Sequence, residues 1–410
     1  MLNYVNVLFF LWFLRLFKPE WILSLYMPSL GFIRGIPTLI LYALLLWVIL
    51  SRKKKIIVDK PYAVFLLAVL VSAIFALNTG IGRTAARGVA ETLIFYILSL
   101  SLIDDEKKLD RVFHLYFWCY IFYFIFGIMY GGKVPFHVYL SNEDAFGPFM
   151  AIGVPLFLYA AFRNRKINYA LFISSFLCVA GVIASIARGA FVSLSAAIAF
   201  VWYKFENKMV ISVIICLLLV FLVVSAGIFF EGNQFWKEMS TISASMREDQ
   251  EELAESRHWL NKKGFQIFAA YPLLGAGPLN YGWALPKVIT YDEARKQGRQ
   301  APELLYYRVP HNIYVQVLSE LGIVGSLSFV GVIFYFFKKN RMIQKFTLRQ
   351  GNNTFYRKTH YYAIGLQGAM VAYLVSGLFY DILYYHWFPD ILILNSIIYR
   401  QLSNQSAGQA

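Results

Sequence analysis

Three basic side chains in this 410-residue sequence lie where apolar stretches meet polar ones. Arg188 interrupts an apolar run that otherwise extends from Ala180 to Tyr203. Arg257 ends an acidic stretch, and His311 directly precedes a long apolar run. A guanidinium fork binds phosphate at two points, and an imidazole gains or loses a proton near neutral pH. These three residues are therefore candidates for a site that binds a phosphate group and transfers a proton.

Arg188 has two interpretations. An arginine with so few polar neighbours is costly near a membrane, rarely faces lipid and is a functional candidate by default. The structural alternative is that it caps a tight turn and extends towards lipid headgroups. Gly189 would permit the close backbone turn in either case. Arg83 and Arg87 are predicted on the same face as Arg188 and are further candidates.

Arg257 and His311 also have structural alternatives. Arg257 would pair with Glu252 or Glu255 on the surface of a helix if it does not bind phosphate. His311 would cap the following helix if it does not act as a general base, although Asn312 is itself a good capping residue. At the level of sequence both interpretations of each residue stay open.

The sequence does not predict a metal site or a cofactor. It has no HExxH motif, and the glycine-proline run at 272–278 lacks the lysine and the serine or threonine of a nucleotide-binding loop. The histidines His258, His360 and His386 form no metal-spaced cluster with carboxylates, and the carboxylates Glu91, Glu143 and Asp144 have no evident partner.

The elements that must position these residues are predicted to be transmembrane helices. Hydrophobic residues make up 59% of the chain and charged residues 15%, whereas the apolar share of a soluble protein is usually below half. Residues 211–230 carry no charge, over the roughly 20 residues that a helix needs to cross a bilayer. The alternating polarity of membrane-spanning strands is absent. The sequence therefore predicts an all-α integral membrane protein.

The net charge of +15 indicates membrane topology rather than a nucleic-acid partner. Lysine and arginine are concentrated in alternate connecting segments, with twenty on one side and six in the short loops of the other. The positive-inside rule assigns the basic side to the cytoplasm, where it contacts anionic lipids. The basic segments are 52–60, 107–111, 163–166, 204–208 and 338–358, and the sparse set comprises Lys18, Arg34, Arg83, Arg87, Lys133 and Arg188.

About twelve transmembrane helices are predicted, with both termini in the cytoplasm. Helices one to nine occupy 1–230, a large, partly helical periplasmic loop occupies 231–311, and helices ten to twelve with a short cytoplasmic tail occupy 312–410. Within the loop an amphipathic helix is predicted from Met246 to Phe268. The expected spans are 3–28 (interrupted at Pro19), 35–51, 61–78, 88–103, 112–130, 146–162, 169–187, 189–204, 209–230, 312–337, 360–380 and 387–401.

Three motifs in chain order resemble those of the O-antigen ligase and polymerase superfamily of bacterial envelope glycosyltransferases. They are Ser-Ile-Ala-Arg-Gly at 185–189, Ser-Arg with Pro-x-x-Gly-x-Gly at 256–277, and Pro-His-Asn-x-Tyr with Glu-x-Gly-x-x-Gly at 310–325. The motifs extend over about 140 residues, and the predicted topology extends the resemblance across the chain. In the polymerase subgroup a glycine follows the arginine after ten intervening residues, whereas here that position is Phe268.

The resemblance implies a GT-C-like enzyme of the bacterial inner membrane. It would transfer a glycan from undecaprenyl pyrophosphate to an acceptor sugar hydroxyl at the periplasmic face, without a metal ion or cofactor. Arg188 and Arg257 would hold the pyrophosphate, and His311 would orient or deprotonate the hydroxyl. Preorganised arginines stabilise the charge that a leaving diphosphate gathers. The candidate substrate-binding residues are Arg188, Arg257, Arg308, Asn312, Tyr314, Arg83 and Arg87.

Several activities remain open at this point. The acceptor is lipid A–core for a ligase, a second lipid-linked glycan for a polymerase, or a protein. A different class is a transporter or flippase of lipid-linked sugars, which should place polar residues near the membrane midplane. This sequence concentrates them at one face, which favours the enzyme. We interpret residues 246–311 as a lid that brings Arg257 and His311 to Arg188.

Overall fold

The computed structural model of the chain is built from α-helices and short 3-10 turns. It describes residues 4–51, 56–229, 257–296, 298–305, 308–350 and 353–407, and none of these residues belongs to a β-strand. The all-α expectation is therefore confirmed for this part of the chain. The helices are α1 (Tyr4–Phe17), α2 (Pro19–Tyr26), α3 (Ile36–Ser51), α4 (Lys60–Ile74), α5 (Thr79–Leu102), α6 (Glu106–Met129), α7 (Glu143–Ala161), α8 (Tyr169–Ser185), α9 (Arg188–Lys204), α10 (Lys208–Phe229), α11 (Arg257–Ala270), α12 (Tyr281–Ala284), α13 (Tyr291–Lys296), α14 (Ile313–Arg349), α15 (Thr354–Ser376) and α16 (Trp387–Ala407), and the 3-10 turns are Pro28–Gly35, Leu285–Val288 and Pro302–Leu305.

Every predicted apolar span coincides with one or more of these helices. The first span is divided, as expected, because Lys18 adopts a left-handed conformation (φ 48°) and Pro19 begins α2. The number of twelve crossings remains a prediction. Among the residues that the structure describes, five stretches are long and apolar enough to cross a membrane by length and composition, namely Pro28–Ser51, Thr79–Leu102, Glu106–Met129, Glu143–Ala161 and Ile313–Arg349.

Two predicted boundaries differ most from those observed. Helix α5 begins at Thr79 rather than at 88, because the side chain of Asn78 accepts hydrogen bonds from the first N–H groups of the helix and caps it there. Arg83 and Arg87 consequently lie on a helix instead of in a loop. Helix α14 continues to Arg349 rather than ending at 337, since the basic segment consists of good helix formers.

The centre of the bundle is α7. Every residue from Ala145 to Ala161 is buried, as expected of a helix that is apolar on all sides. It packs against α8, α9 and α15. A Cβ at Gly368 on α15 would lie 2.5 Å from Pro155, so the glycine allows close helix packing, as small residues do in membrane bundles.

The described part of the large loop forms a small apolar core of its own. Trp259 and Leu260 of α11 pack with Tyr281 of α12 and with Leu285 and Leu305 of the following turns. The part of the predicted helix at 246–268 that lies within the described residues is helical, as α11. Residues 246–256, with the acidic run and the pairing alternative for Arg257, lie outside the described residues.

Candidate functional site

Two of the sequence motifs meet in one structure, which we call the junction and define as residues 272–277 packed on α14 at Ser319–Ile323. Helix α14 is broken there at Gly322 (φ 61°, ψ −161°). The N–H of Gly277 donates to the carbonyl of Glu320 at 2.9 Å, and the N–H of Ile323 donates to the proline carbonyl that opens the segment, also at 2.9 Å. The broken helix and the loop thus satisfy each other's backbone groups.

The glycines of both motifs are explained by this close approach. A Cβ at Gly275, which has a φ of 70°, would lie 2.2 Å from the carbonyl carbon of Glu320. A Cβ at Gly322 would lie 2.5 Å from the backbone of Leu273. Any larger residue at either position would separate the two backbones and would also adopt an unfavourable left-handed conformation.

The carboxylate of Glu320 has its hydrogen-bonding capacity satisfied by groups around the junction. It is buried, and it accepts hydrogen bonds from the N–H of Leu279 at 3.0 Å, the N–H of Tyr281 at 3.2 Å and the hydroxyl of Tyr384 at 2.7 Å. A buried carboxylate with three donors is well satisfied. We therefore assign Glu320 a structural role.

The described part of the large loop, from Arg257 to His311, is called the outer segment. The junction also fixes this outer segment to the turn between α4 and α5. The N–H of Leu77 donates to the carbonyl of Ala276 at 2.9 Å, and the N–H of Asn78 donates to the side chain of Asn280 at 2.7 Å. These contacts set the position from which α11 and the start of α14 approach the bundle.

His311 lies half-exposed just before α14 and has a left-handed backbone (φ 49°). Asn312 is the N-cap, since its side chain accepts from the N–H groups of Tyr314 and Val315 at 2.9 and 3.1 Å. The capping alternative for His311 therefore does not apply. The imidazole Nδ1 lies 3.8 Å from an Oδ1 of Asp381, a distance at which one water can connect them.

Arg257 is the first residue described of α11 and is exposed. Its guanidinium carbon lies 5.7 Å from the ring centroid of Tyr380, within the range of a cation–π contact. Its Nη2 lies 3.8 Å from Oδ2 of Asp144, at the start of α7. Both contacts are loose, so the guanidinium retains donors for a ligand.

Arg188 is the exposed first residue of α9. The interpretation of Gly189 as the turn residue is wrong, because the left-handed residue of the turn is Ile186 (φ 50°). Gly189 instead allows close packing, since a Cβ there would lie 2.6 Å from Phe379 and 2.8 Å from the hydroxyl of Tyr380. The first turn of α9 therefore packs directly on the segment that Arg257 also contacts.

The connection between α15 and α16, residues 377–386, is where the three motifs meet. Tyr380 contacts Arg257 and Gly189, and the next residue, Asp381, faces His311. Burial raises the pKa of Asp381, His311 opposes that rise, and the charge of Asp144 adds to it. We call these six residues the outer cluster: Asp144, Arg188, Arg257, His311, Tyr380 and Asp381.

Sequence reasoning missed three of the six. Asp144 was noticed without a partner, and no motif included Tyr380 or Asp381. The structure itself gives one indication that the sequence does not contain, namely left-handed backbone at residues other than glycine. Ile186 and His311 both have it, and such outliers often occur near functional sites.

The remaining predicted substrate-binding residues have local contacts. The hydroxyl of Tyr314 donates to the carbonyl of Leu374 at 2.8 Å. Arg83 donates to the carbonyl of Thr79 at 3.3 Å. Asn312 caps α14, Arg87 pairs with Glu91 at 2.8 Å, and Arg308 is partly buried. The substrate-binding roles of these five residues stay predictions.

Among the described residues, no group of three or more His, Cys, Asp or Glu side chains is arranged to hold a metal ion. The nearest acids of the outer cluster, Asp144 and Asp381, face cationic or titratable partners instead. Whether the reaction needs a metal is addressed by experiment below.

Residues 173–330 match the family model described as O-antigen ligase. The resemblance inferred from the motifs is confirmed over this range. The match indicates an enzyme of the O-antigen ligase or polymerase type, and the apolar helices indicate a multi-pass membrane protein. The matched range includes Arg188, Arg257 and His311 but not Asp144, Tyr380 or Asp381. A comparison with curated proteins found no match.

Proposed function

From the O-antigen ligase match and the geometry of the outer cluster, we propose that this protein transfers a glycan from undecaprenyl pyrophosphate to a sugar hydroxyl of lipid A–core. The reaction would take place at the periplasmic face of the inner membrane. A polymerase that extends a second lipid-linked glycan is the alternative within the same superfamily.

One observation carries the proposal. Arg257 is the first described residue of α11 and His311 lies two residues before α14, yet they face consecutive residues, Tyr380 and Asp381. Both side chains are partly exposed, and their charged contacts are 3.8 Å long. A diphosphate and an acceptor hydroxyl can therefore reach a phosphate-binding cation and a proton acceptor at one place.

The chemistry follows from these two groups. The acceptor hydroxyl oxygen forms a bond to the anomeric carbon of the donor while the bond from that carbon to the pyrophosphate oxygen breaks. His311 accepts the hydroxyl proton, and Asp381 stabilises the resulting imidazolium. Arg257 and Arg188 stabilise the negative charge that gathers on the leaving undecaprenyl pyrophosphate. No further proton or electron is required.

The position of Phe268 favours the ligase over the polymerase, since the glycine expected in the polymerase subgroup is absent there. In the structure Phe268 lies in the last turn of α11, eleven residues after Arg257. Product analysis distinguishes the two acceptors.

A transporter remains the alternative from another class, because the bundle does contain internal ion pairs. Arg15 donates to Asp390 at 2.7 Å, and Lys339 bonds to Asp59. Both pairs are closed by direct hydrogen bonds. The loosely paired guanidinium of Arg257 and imidazole of His311 instead lie near helix ends at one face, which favours an enzyme.

The proposal is tested by product analysis with purified protein in lipid nanodiscs. An undecaprenyl-pyrophosphate-linked glycan is offered with either lipid A–core or a second lipid-linked glycan. Ligation gives glycosylated lipid A–core, and polymerisation gives a lengthened lipid-linked chain, and the two are distinguished on a gel. His311→Ala should slow transfer strongly while donor binding persists.

Two results would contradict the proposal. Movement of intact donor across the membrane without a new glycosidic bond would establish the transporter instead. Loss of all transfer with a chelator, restored by a divalent ion, would overturn the expectation of a metal-independent reaction.

A further inference from the structure

A small cleft lies at the opposite face of the bundle, between the basic ends of α6, α7 and α8. Its volume is about 70 Å³, several times the roughly 10–15 Å³ that a single water needs. It therefore admits one compact group rather than a whole ligand. Its lining includes Phe113, Phe117, Phe157, Arg163, Ala170 and Leu171.

Arg163 is an unusual residue for an apolar cleft. Only 6% of it is exposed. One guanidinium nitrogen donates to the carbonyl of Ala160 at 3.0 Å, whereas its Nε is buried without a hydrogen-bond partner. Within the described part of the chain no carboxylate lies within salt-bridge distance of Arg163. A buried, incompletely satisfied cation favours an anionic partner.

The acids closest to this face are already used. Asp110 and Glu106 both bond to Lys358, and Asp110 also accepts from the hydroxyl of Tyr362 at 2.8 Å. The guanidinium of Arg163 lies over the Tyr362 ring, 5.8 Å from its centroid. The charge of Arg163 is therefore left for a ligand.

The surroundings of the cleft indicate a lipid rather than a soluble anion. Trp118, Tyr169 and Ile173 beside it are exposed large apolar residues, as expected where a helix bundle faces the bilayer. The cleft belongs to the side that the charge asymmetry assigns to the cytoplasm. Basic pockets between transmembrane helices on that side bind anionic lipid headgroups.

We propose that this cleft binds an anionic phospholipid of the cytoplasmic leaflet. Its phosphate bonds to the guanidinium of Arg163, and the first part of an acyl chain lies against Phe117 and Leu171. This site is separate from the outer cluster, and the inference does not depend on the proposed glycan transfer.

The test measures lipid retention by native mass spectrometry, with phosphatidylglycerol and phosphatidylcholine as the probes. Wild-type protein should retain one phosphatidylglycerol in preference to phosphatidylcholine. Arg163→Gln should weaken this binding about tenfold, as expected for the loss of a charged hydrogen bond. The matched control is Arg165→Gln, which removes an exposed arginine two residues away and should leave retention unchanged.

A second variant tests the cleft without changing the arginine. Ala170 is exposed at the start of α8, so Ala170→Phe can fill the cleft and should also abolish the preference. Equal retention of both lipids by wild type, or equal losses in Arg163→Gln and Arg165→Gln, would overturn the proposal. Complete displacement by millimolar inorganic phosphate would do so as well, because the acyl contact would then contribute nothing.

Discussion

The junction is built from two of the sequence motifs, and the outer cluster contains one basic or titratable residue from each of the three, yet their chemistry is opposite. In the junction, Glu320 is buried and its carboxylate accepts three hydrogen bonds of 2.7 to 3.2 Å. In the outer cluster, the charged contacts of Arg257 and His311 are each 3.8 Å long and the side chains are partly exposed. A fully satisfied group fixes backbone geometry, whereas a loosely paired one can exchange its partner for a substrate.

This difference divides the motif residues by role. The glycines at 275, 277 and 322, together with Glu320, hold the outer segment on the broken helix α14. Their substitution should affect folding first and catalysis as a consequence. Arg257 and His311 should show the reverse order, with transfer lost in a protein that remains folded. The following predictions test that division, from the largest expected effect to the smallest.

Glu320→Ala should be the most damaging change. It leaves two backbone N–H groups and the Tyr384 hydroxyl without an acceptor, at about 1–3 kcal/mol each, so the free energy of unfolding should fall by on the order of 5 kcal/mol. Thermal unfolding in detergent, followed by tryptophan fluorescence, measures it. Glu303→Ala, an exposed acid of the same outer segment, is the control and should change little. An unfolding temperature equal to that of wild type would contradict the structural role assigned to Glu320.

Arg257→Ala should lower the rate of transfer about 10²- to 10³-fold, the usual effect of removing one charge-stabilising donor. The unfolding temperature should stay near that of wild type, because the side chain is 43% exposed and its ion pair is long. Arg295→Ala removes another exposed arginine of the outer segment and should keep full activity. If the unfolding temperature fell together with activity, Arg257 would have a structural role like that of the junction residues.

Asp381→Asn should lower kcat/KM on the order of tenfold to a hundredfold, less than loss of the general base itself. Burial raises the pKa of Asp381, so the carboxylate becomes protonated at a higher pH than an ordinary aspartate. Wild-type activity should therefore fall on the acidic side as His311 and Asp381 become protonated, and in the variant this acidic limb should keep only the part that belongs to His311. Rates measured against pH check this.

Asp144→Asn sharpens the same measurement. It removes a negative charge that contributes to the raised pKa of Asp381, and the acidic limb should move to lower pH. An unchanged pH profile in both variants would show that Asp381 does not act on His311.

Glu293→Gln should have the smallest effect. It should lower the free energy of unfolding by about 2 kcal/mol, and the loss should be confined to the outer segment. Lys263 is 3% exposed and bonds to Glu293 at 2.7 Å. Burial alone would raise the pKa of Glu293, but bonds from Lys263 and Thr290 lower it overall. The stabilisation is thus present above the ordinary glutamate pKa and is lost as pH falls through the lowered one.

The difference in unfolding temperature between wild type and Glu293→Gln should accordingly shrink towards acidic pH. Asp292→Asn changes the neighbouring acid of α13, for which no bond to Lys263 is found, and serves as the matched control. A difference that is independent of pH would mean that the charge of Glu293 contributes nothing.

The sequence by itself determined the features that depend on local pattern. Apolar runs of sufficient length predicted the long helices of the bundle, because backbone groups in lipid must be satisfied within the segment itself. The cap at Asn312 and the break at Pro19 follow from residue chemistry within a few positions. The motifs also gave the family resemblance and the choice of Arg188, Arg257 and His311.

Only the tertiary structure decided which groups those residues face. Tyr380 and Asp381 lie about 70 residues beyond His311 and more than 120 beyond Arg257 in the chain, so no spacing rule connects them. Their positions result from the packing of α15 on α7 and α9. The same holds for Glu320, whose three donors come from two distant segments. Contacts of this kind depend on how helices pack against one another, and that is fixed by the whole core rather than by any local pattern.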